Sequence, residues 1–337
     1  MDVDFSTLTL RFAEPLKTSY GDLRERSLLM LRLAASDGVI GWGEAAPLEP
    51  YDGVSEEAVR RALAAYEPIL RNGDGARATE LIERCREMSE LPQALAAVDM
   101  ALWDMAGNRE GKPVSLLLAD DPAGSVRVNA MIGAEDRAQA AAQAAAAARD
   151  GFTCVKLKVG IGDDAGRVAA VRASAGPEME LRLDANGAWD VEEAVRTIEA
   201  LAPAGLELVE EPVHGVAKMR QVRDRVHVRV AMDETAAEPG SLTAKVADAV
   251  CLKISSCGGI SGLLARAALV RASGADVYLA STYDGPLGIA AAVHCAAALK
   301  PSGASGLGTL ELFDDEFTVL SLENGEIEVP TKPGLGV

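Results

Sequence analysis

The feature that most constrains the fold is a regular alternation of strand and helix patterns that begins near residue 126 and continues to residue 312. Strands are predicted at 126–132, 154–159, 180–185, 206–210, 228–232, 249–254, 276–281 and 307–312, and all but the last precede a helical pattern. Repeated units of about 25 to 30 residues match a TIM barrel better than a β-sandwich. The sequence therefore predicts an α/β fold with a (β/α)7β barrel.

The N-terminal third has a different pattern, typical of an α+β module. Strands are predicted at 8–12, 27–33 and 39–44, with a loop at 15–24 and a hairpin turn at Asp37-Gly38. Helical patterns follow at about 55–71, 77–88 and 92–109. We predict a capping domain over residues 1–118, to which the tail 313–337 returns, and a modified barrel over 119–312 that carries the catalytic residues.

Composition narrows the class of partner. The formal net charge of −18 argues against binding to a nucleic acid backbone and favours a small-molecule substrate. The five cysteines are scattered and form no Cys-x-x-Cys pair, which indicates neither a disulfide framework nor a thiolate zinc site. The acidic N-terminus and the lack of a long apolar run predict a cytoplasmic protein without membrane contact, and a homo-oligomer stays open.

Charged residues lie at or near the ends of five consecutive predicted strands. Lys156 and Lys158 alternate with apolar residues, so both point to one face of their strand. The next strands end in acids and then a lysine: Asp184, Glu210, Asp233 and Lys253. Because the active site of such a barrel lies at the carboxyl ends of its strands, the three carboxylates should converge between lysines on opposite sides.

Three clustered carboxylates repel one another unless a cation or a proton separates them. Oxygen ligands from Asp184, Glu210 and Asp233 suit Mg²⁺, with Mn²⁺ as an alternative. An ion held between lysines suits removal of a proton next to a carboxylate, since it stabilises the enediolate. We expect Lys158 to be the base, because the charge of Lys156 and the ion would both lower its pKa.

The motif set resembles the muconate-lactonizing subgroup of the enolase superfamily. The motifs are Lys156-x-Lys158, Asp184-Ala185-Asn186, Glu210-Glu211-Pro212, Asp233-Glu234, Lys253-x-Ser255-x-x-Gly258-Gly259, Gly41-Trp42-Gly43-Glu44, Asp284-Gly285-Pro286-Leu287-Gly288 and Gly306-Leu307-Gly308-Thr309. The resemblance spans nearly the whole chain. It implies that Asp184, Glu210 and Asp233 bind Mg²⁺. It also implies that Lys158 and Lys253 flank the substrate and that Lys156 is their electrostatic partner.

Within this subgroup, residues 43–48, 151–160 and 181–186 are most similar to o-succinylbenzoate synthases. That similarity implies a lyase of menaquinone biosynthesis that catalyses a syn dehydration. Lys158 would remove the α-proton and then protonate the leaving hydroxide, while Lys253 would stay charged opposite it. This is the reaction that the sequence predicts first.

Three other interpretations of the function stay open. A dipeptide epimerase or N-acylamino acid racemase would use both lysines as proton carriers, and a muconate-type cycloisomerase would use the same site. Dipeptide epimerases resembling this chain carry an Asp-x-Asp pair at the eighth strand, where residues 309–312 hold only Glu311, although Asp314 and Asp315 follow shortly. A non-catalytic, metal-stabilised barrel would be expected to lack a lysine or a carboxylate, and none is missing.

Specificity should reside in the two capping loops at 17–24 and 47–53. The candidate substrate contacts are Thr18, Ser19, Tyr20, Tyr51, Asn186 and Asp284. Glu211, Glu234 and Asn186 either orient the metal ligands or are solvated loop residues. His294 lies in an apolar helical pattern and is expected to be a core residue.

Overall fold

The computed structural model describes residues 1–18, 21–133, 136–315, 317 and 319–337. It begins with a capping domain whose antiparallel sheet has the order β1 Asp2–Thr18, β2 Gly21–Ala34, β3 Ile40–Ala45. The hairpin predicted around Asp37-Gly38 is confirmed, since β2 pairs with β3. The loop predicted at 15–24 is wrong, because residues 16–18 pair with residues 21–23 as the end of a longer hairpin.

The helices of the capping domain follow this sheet. They are α1 Glu49–Asp52, α2 Glu56–Arg71, α3 Ala78–Met88, α4 Pro92–Glu110 and α5 Val114–Leu118. The three predicted helices are thus confirmed within a residue or two. α4 packs closely on β3 because Gly41 and Gly43 lack side chains. A Cβ atom at either glycine would overlap a backbone carbonyl oxygen of α4, that of Ala101 or Ala97.

The second part of the chain is the predicted alternation of strands and helices. Its strands are β4 Ser125–Arg127, β5 Ala130–Ile132, β6 Cys154–Lys158, β7 Glu180–Asp184, β8 Leu206–Glu210, β9 Val230–Met232, β10 Ala249–Lys253, β11 Asp276–Ala280, β12 Leu322–Glu323 and β13 Glu326–Glu328. Its helices are α6 Arg137–Arg149, α7 Asp164–Ala175, α8 Val191–Leu201, α9 Val216–Arg223, α10 Ile254–Cys257, α11 Gly259–Ser273 and α12 Pro286–Leu299. β5 to β11 form one curled parallel sheet in chain order, which confirms the α/β fold class.

The two ends of the predicted barrel differ from expectation. β4 leaves the parallel sheet and pairs antiparallel with β13, which also pairs with β12. The strand predicted at 307–312 is absent from the described structure, since Leu310–Leu312 forms a 3₁₀ turn. Single bridges from Ser305 to Val128 and from Gly306 to Ala280 instead span the gap between the sheet's two ends.

The inside of the curled sheet is packed with side chains. β10 is buried at every residue, as expected for a parallel strand covered on both faces. Four small residues, a leucine and a tyrosine form an interior layer: Leu208, Ala231, Ala249, Cys251, Tyr278 and Ala280. Because the seven strands run parallel, their carboxyl ends meet at one edge, and the charged residues of the candidate site lie just above this layer.

The C-terminal tail returns to the capping domain. The Leu335 backbone N–H donates to Asp104 Oδ1 in α4 at 2.7 Å, and the Leu335 carbonyl contacts His294 Nε2 at 3.1 Å. His294 is buried, as predicted, and the backbone N–H of Ser115 donates to its Nδ1. Burial lowers the pKa of His294 to about 4. Among the described helices, none is long and apolar enough to cross a membrane.

Candidate active site

Lys156 lies between two carboxylates at the carboxyl edge of the sheet. Its Nζ is 2.9 Å from Asp184 Oδ2 and 2.8 Å from Glu210 Oε1. The three side chains come from β6, β7 and β8, and period-two alternation turns each of them towards the inside. Burial acts to lower the pKa of Lys156, but the two carboxylates outweigh it and hold that pKa well above its ordinary value.

Asp233 and Lys253, at the ends of β9 and β10, form a second ion pair. Lys253 Nζ is 2.5 Å from Asp233 Oδ2, and the same ammonium donates to the hydroxyl of Tyr51 in α1. Tyr51 also lies 3.3 Å from Asp233 Oδ2, and its ring is 4.6 Å from the Lys253 ammonium. The capping domain therefore places one of the predicted substrate contacts, Tyr51, directly on the barrel's ion pair.

Lys158, two residues after Lys156 on β6, is partly exposed at the strand end. In the described part of the chain, its ammonium has no hydrogen-bond or ion-pair partner, although its backbone carbonyl accepts from Arg167. Lys158 and Lys253 lie on strands separated by three others in the curled sheet. The structure thus puts an unpaired lysine on one side of the carboxylates and a paired lysine on the other.

Turns after the strands are built from residues in strained backbone conformations. Asn186 and Glu211 both have left-handed φ values, 43° and 40°. The Asn186 backbone N–H donates to Asp184 Oδ1, and the Glu211 carboxylate accepts from the Asp233 and Thr235 backbone N–H groups. The sequence left two interpretations of Asn186 and Glu211 open. These contacts favour the one in which both residues orient the acids of the site.

Two further residues belong to the site and were missed by sequence reasoning. The Tyr278 hydroxyl donates to Glu210 Oε2 at 2.8 Å, and the Arg182 guanidinium lies over the Tyr278 ring at 5.0 Å. Arg182 is buried and paired with Glu207. A signal for Arg182 was present in the sequence, because it lies two residues before Asp184 and so shares its inward face.

The other predicted substrate contacts have mixed outcomes. Ser19 and Tyr20 lie outside the described residues. Thr18 ends β1, and its hydroxyl donates to the Gly21 carbonyl at 2.6 Å. Asn186 donates from its side-chain amide to Glu234 Oε1 at 3.1 Å. Asp284 is completely buried, which does not support the predicted contact with substrate.

The carboxyl groups of the site suit a divalent cation. Asp184, Glu210, Glu211, Asp233 and Glu234 stand against Lys156, Lys158 and Lys253, which leaves an excess of two negative charges when all are ionised. Burial raises the pKa of Glu210 to about 7 against the opposing charge of Lys156. Burial and the charge of Asp233 raise the pKa of Glu234 to about 8. An ion with oxygen ligands would relieve this excess.

Oxygen donors, not sulfur, define the site. Oxygens of Glu210 and Asp233 and the sulfur of Cys251 lie within 4.8 Å of one another. Burial raises the pKa of the Cys251 thiol well above its ordinary value, which disfavours the thiolate form that binds metals. The donor set therefore fits Mg²⁺ or Mn²⁺ better than a thiophilic metal.

Proteins of known structure and function resemble the whole chain. It is 29% identical to the L-Ala-D/L-Glu epimerase of Bacillus subtilis over 99% of this chain and 95% of that protein. It is 28% identical to muconate cycloisomerase 1 of Acinetobacter baylyi, over 96% and 92% of the two chains. A substrate-liganded complex of the B. subtilis epimerase matches with a TM-score of 0.92 and 28% identity over 100% and 98% of the chains.

A dipeptide epimerase from Enterococcus faecalis, complexed with Mg and L-Leu-L-Tyr, matches with a TM-score of 0.89, at 26% identity over 99% and 98% of the chains. Two family models cover most of the sequence. The mandelate racemase / muconate lactonizing enzyme N-terminal domain matches residues 3–119, and the enolase C-terminal domain-like model matches residues 139–337. With both domains matched and the fold shared, the chain belongs to the enolase superfamily.

Proposed function

We propose that this chain is a Mg²⁺-dependent epimerase or racemase that inverts the carbon next to a carboxylate, with a dipeptide or an N-acylated amino acid as substrate. The observation that carries the proposal is the similarity of the whole chain to several dipeptide epimerases. Lys158 and Lys253 lie on strands on either side of those that bear the three carboxylates, an arrangement that two-sided proton transfer needs and that the dehydration would also use. The isomerase alternative thus has more support than the dehydration predicted first from local sequence.

Asp184, Glu210 and Asp233 are the residues that would hold the divalent ion. When bound, the ion would supply positive charge that offsets the negative charge developing on the substrate carboxylate as the α-proton leaves. In the structure Lys156 pairs with Asp184 and Glu210, and Lys253 pairs with Asp233. Both ammonium groups would remain nearby and add to the positive charge around the substrate carboxylate.

The two flanking lysines have different surroundings that suit opposite proton transfers. Lys158 has no partner among the described residues, so no ion pair would have to break for its amino group to approach one face of the substrate. Burial opposes a proton on Lys253, but Asp233 and the Tyr51 oxygen outweigh it and keep its pKa well above the ordinary value. Lys253 is therefore protonated, and its proton is the one that would be delivered to the other face. The reverse epimerisation exchanges these roles.

One observation keeps the dehydration as a second candidate and, within the main proposal, favours N-acylamino acids over dipeptides. At the position of the eighth strand only Glu311 is acidic, and it lies exposed in the 3₁₀ turn Leu310–Leu312. A single exposed carboxylate holds a substrate ammonium less firmly than a pair. This favours substrates without a free ammonium, such as N-acylamino acids or the cyclohexadiene substrate of o-succinylbenzoate synthase.

The experiment is a substrate panel in deuterated water. Purified protein with Mg²⁺ is incubated with a dipeptide library, with N-acylamino acids and with the cyclohexadiene substrate. The proposal expects α-deuterium incorporation and epimer formation with a dipeptide or an N-acylamino acid, and loss of both after chelation. Rapid dehydration of the cyclohexadiene without epimerisation of any amino acid derivative would overturn it.

A further inference from the structure

The turn between β11 and α12 presents a tyrosine that neither the motif set nor the proposed mechanism uses. Tyr283 is partly exposed and has a left-handed φ of 58°, an uncommon conformation for a bulky side chain. Such strain persists only where the surroundings enforce it, and it clusters at functional sites. The contacts that enforce it here come largely from the capping domain.

Arg26 of β2 is the main clamp on this turn. Its Nε donates to the Tyr283 carbonyl at 3.2 Å, and its Nη1 and Nη2 donate to the carbonyls of Pro47 and Ala46. Arg26 is 4% exposed, so these bonds are shielded from water. One buried guanidinium thus ties the Tyr283 backbone to the chain that leads into the capping segment with Tyr51.

Glu44 of β3 holds the same turn from its other end. The Gly285 backbone N–H donates to Glu44 Oε1 at 2.7 Å, and the neighbouring Asp284 is fixed by the Thr282 hydroxyl at 3.0 Å. Glu44 and Asp284 are both buried. Thr282, Asp284 and Gly285 around it are buried, whereas Tyr283 between them is partly exposed.

The ring of Tyr283 lies between the capping domain and the charged site. It makes an edge contact with Phe12 of β1, with ring centroids 5.7 Å apart, and Phe12 in turn stacks on Phe313. The turn follows the carboxyl end of β11, which pairs with β10, the strand that ends in Lys253, so Tyr283 lies at the edge of the sheet that carries the charged site. Within the described part of the chain, the Tyr283 hydroxyl has no hydrogen-bond partner.

We propose that Tyr283 is a substrate-binding residue whose hydroxyl donates to an oxygen of the substrate beyond the reacting carbon, such as a peptide or acyl carbonyl. Arg26 is then a positioning residue that acts through Tyr283. This assignment rests on the proposed function and narrows it to carboxylate substrates that carry a second oxygen acceptor. It also explains why a bulky residue is kept in the left-handed region.

The test compares Tyr283→Phe with wild type. The substrate is the compound of the panel into which the wild-type protein incorporates α-deuterium fastest. Tyr283→Phe keeps the ring and removes the hydroxyl, so KM should rise about tenfold, the effect of one lost hydrogen bond, with kcat within about twofold. Tyr66→Phe is the matched control, since the Tyr66 hydroxyl donates to the Ser89 carbonyl inside the capping domain. It should leave KM unchanged.

A double-mutant cycle tests the positioning role. Arg26→Gln should raise KM without changing Mg²⁺ affinity, and the double variant with Tyr283→Phe should raise it no further than the larger single effect. Unchanged KM in Tyr283→Phe, or additive effects in the cycle, would overturn the role given to Tyr283 and Arg26 and leave the proposed function standing. Absence of exchange by wild type with every carboxylate would overturn the proposed function and this assignment with it.

Discussion

Lys156 should stabilise the folded protein, because its ammonium separates two buried carboxylates. Replacing it with Met would leave Asp184 and Glu210 facing each other without the ammonium between them. Removing one partner of a buried ion pair costs about 3–5 kcal/mol, so Lys156→Met should lower the free energy of unfolding by that amount without Mg²⁺. Since a cation would compensate the two carboxylates, the loss should be smaller with Mg²⁺. Urea unfolding with and without the ion measures both values.

The control for this variant is Lys300→Met. Lys300 pairs with Asp121 on the surface, with side chains 50% and 93% exposed, so its loss should cost less than about 1 kcal/mol. An equal loss of stability for Lys156→Met with and without Mg²⁺ would show that the carboxylates beside Lys156 do not bind the ion.

Glu44 gives a pH-dependent prediction. Burial, with a smaller contribution from the charge of Asp284, raises the pKa of Glu44 from 4.5 to about 7. The folded state therefore binds this proton more tightly than the unfolded state. Protonation of Glu44 stabilises the folded state fully below pH 4.5. That effect is lost as pH rises to about 7.

Glu44→Gln removes this titration while keeping an oxygen to accept from Gly285. Between pH 4.5 and pH 7 its stability relative to wild type should rise by roughly 3 kcal/mol. Chemical unfolding across this range gives the two profiles. Parallel profiles would mean that Glu44 titrates alike in the folded and unfolded states.

At the scale of elements, the glycines of β3 carry a prediction about packing. A Cβ atom on Gly43 would overlap the Ala97 carbonyl oxygen of α4, and this backbone atom has little room to move. Gly43→Ala should destabilise the protein by about 1–3 kcal/mol through overpacking. Gly124→Ala is the control, because a Cβ atom there would meet no described neighbour within 4 Å. Thermal unfolding of both variants checks the difference, and equal stability would contradict the close packing of α4 on β3.

Elements with regular periodicity were predictable, and those that depend on distant partners were not. The hairpin of β1 and β2 runs through Pro15, which reads as a loop in sequence. Proline is tolerated there because β1 is an edge strand and its register with β2 shifts between Arg11 and Leu16. The predicted eighth strand is replaced by single bridges at Ser305 and Gly306, after which the described chain turns into the 3₁₀ helix Leu310–Leu312.

The residues of the candidate site were likewise predictable where strand periodicity places them, and not where distant contacts do. The three acids and three lysines were predictable because each follows an apolar strand pattern. Tyr278 and Tyr283 were not, since on sequence alone they look like ordinary core or turn residues. Their positions near Glu210 and the charged cluster follow only from the curl of the sheet, which brings Tyr278 of β11 to Glu210 of β8, and from the capping domain's contacts with the turn after β11.

At the scale of the whole molecule, both parts of the chain contribute to one site. The barrel supplies the acids and lysines, and the capping domain supplies Tyr51 and the clamp on Tyr283. The proposed reaction further requires proton carriers on both sides of the substrate. This requirement, more than metal binding, separates epimerisation from a one-sided dehydration.

The most direct measurement is solvent deuterium exchange into each epimer of the substrate by Lys158→Arg and Lys253→Arg, with Mg²⁺ present. Arg keeps the charge but, with a pKa above about 12, is a poor proton carrier. If both lysines carry protons, each variant should lose epimerisation yet still exchange the α-proton of one epimer. The epimer that exchanges should differ between the two variants. Substantial turnover by Lys253→Arg, together with no exchange of either epimer by Lys158→Arg, would contradict this prediction.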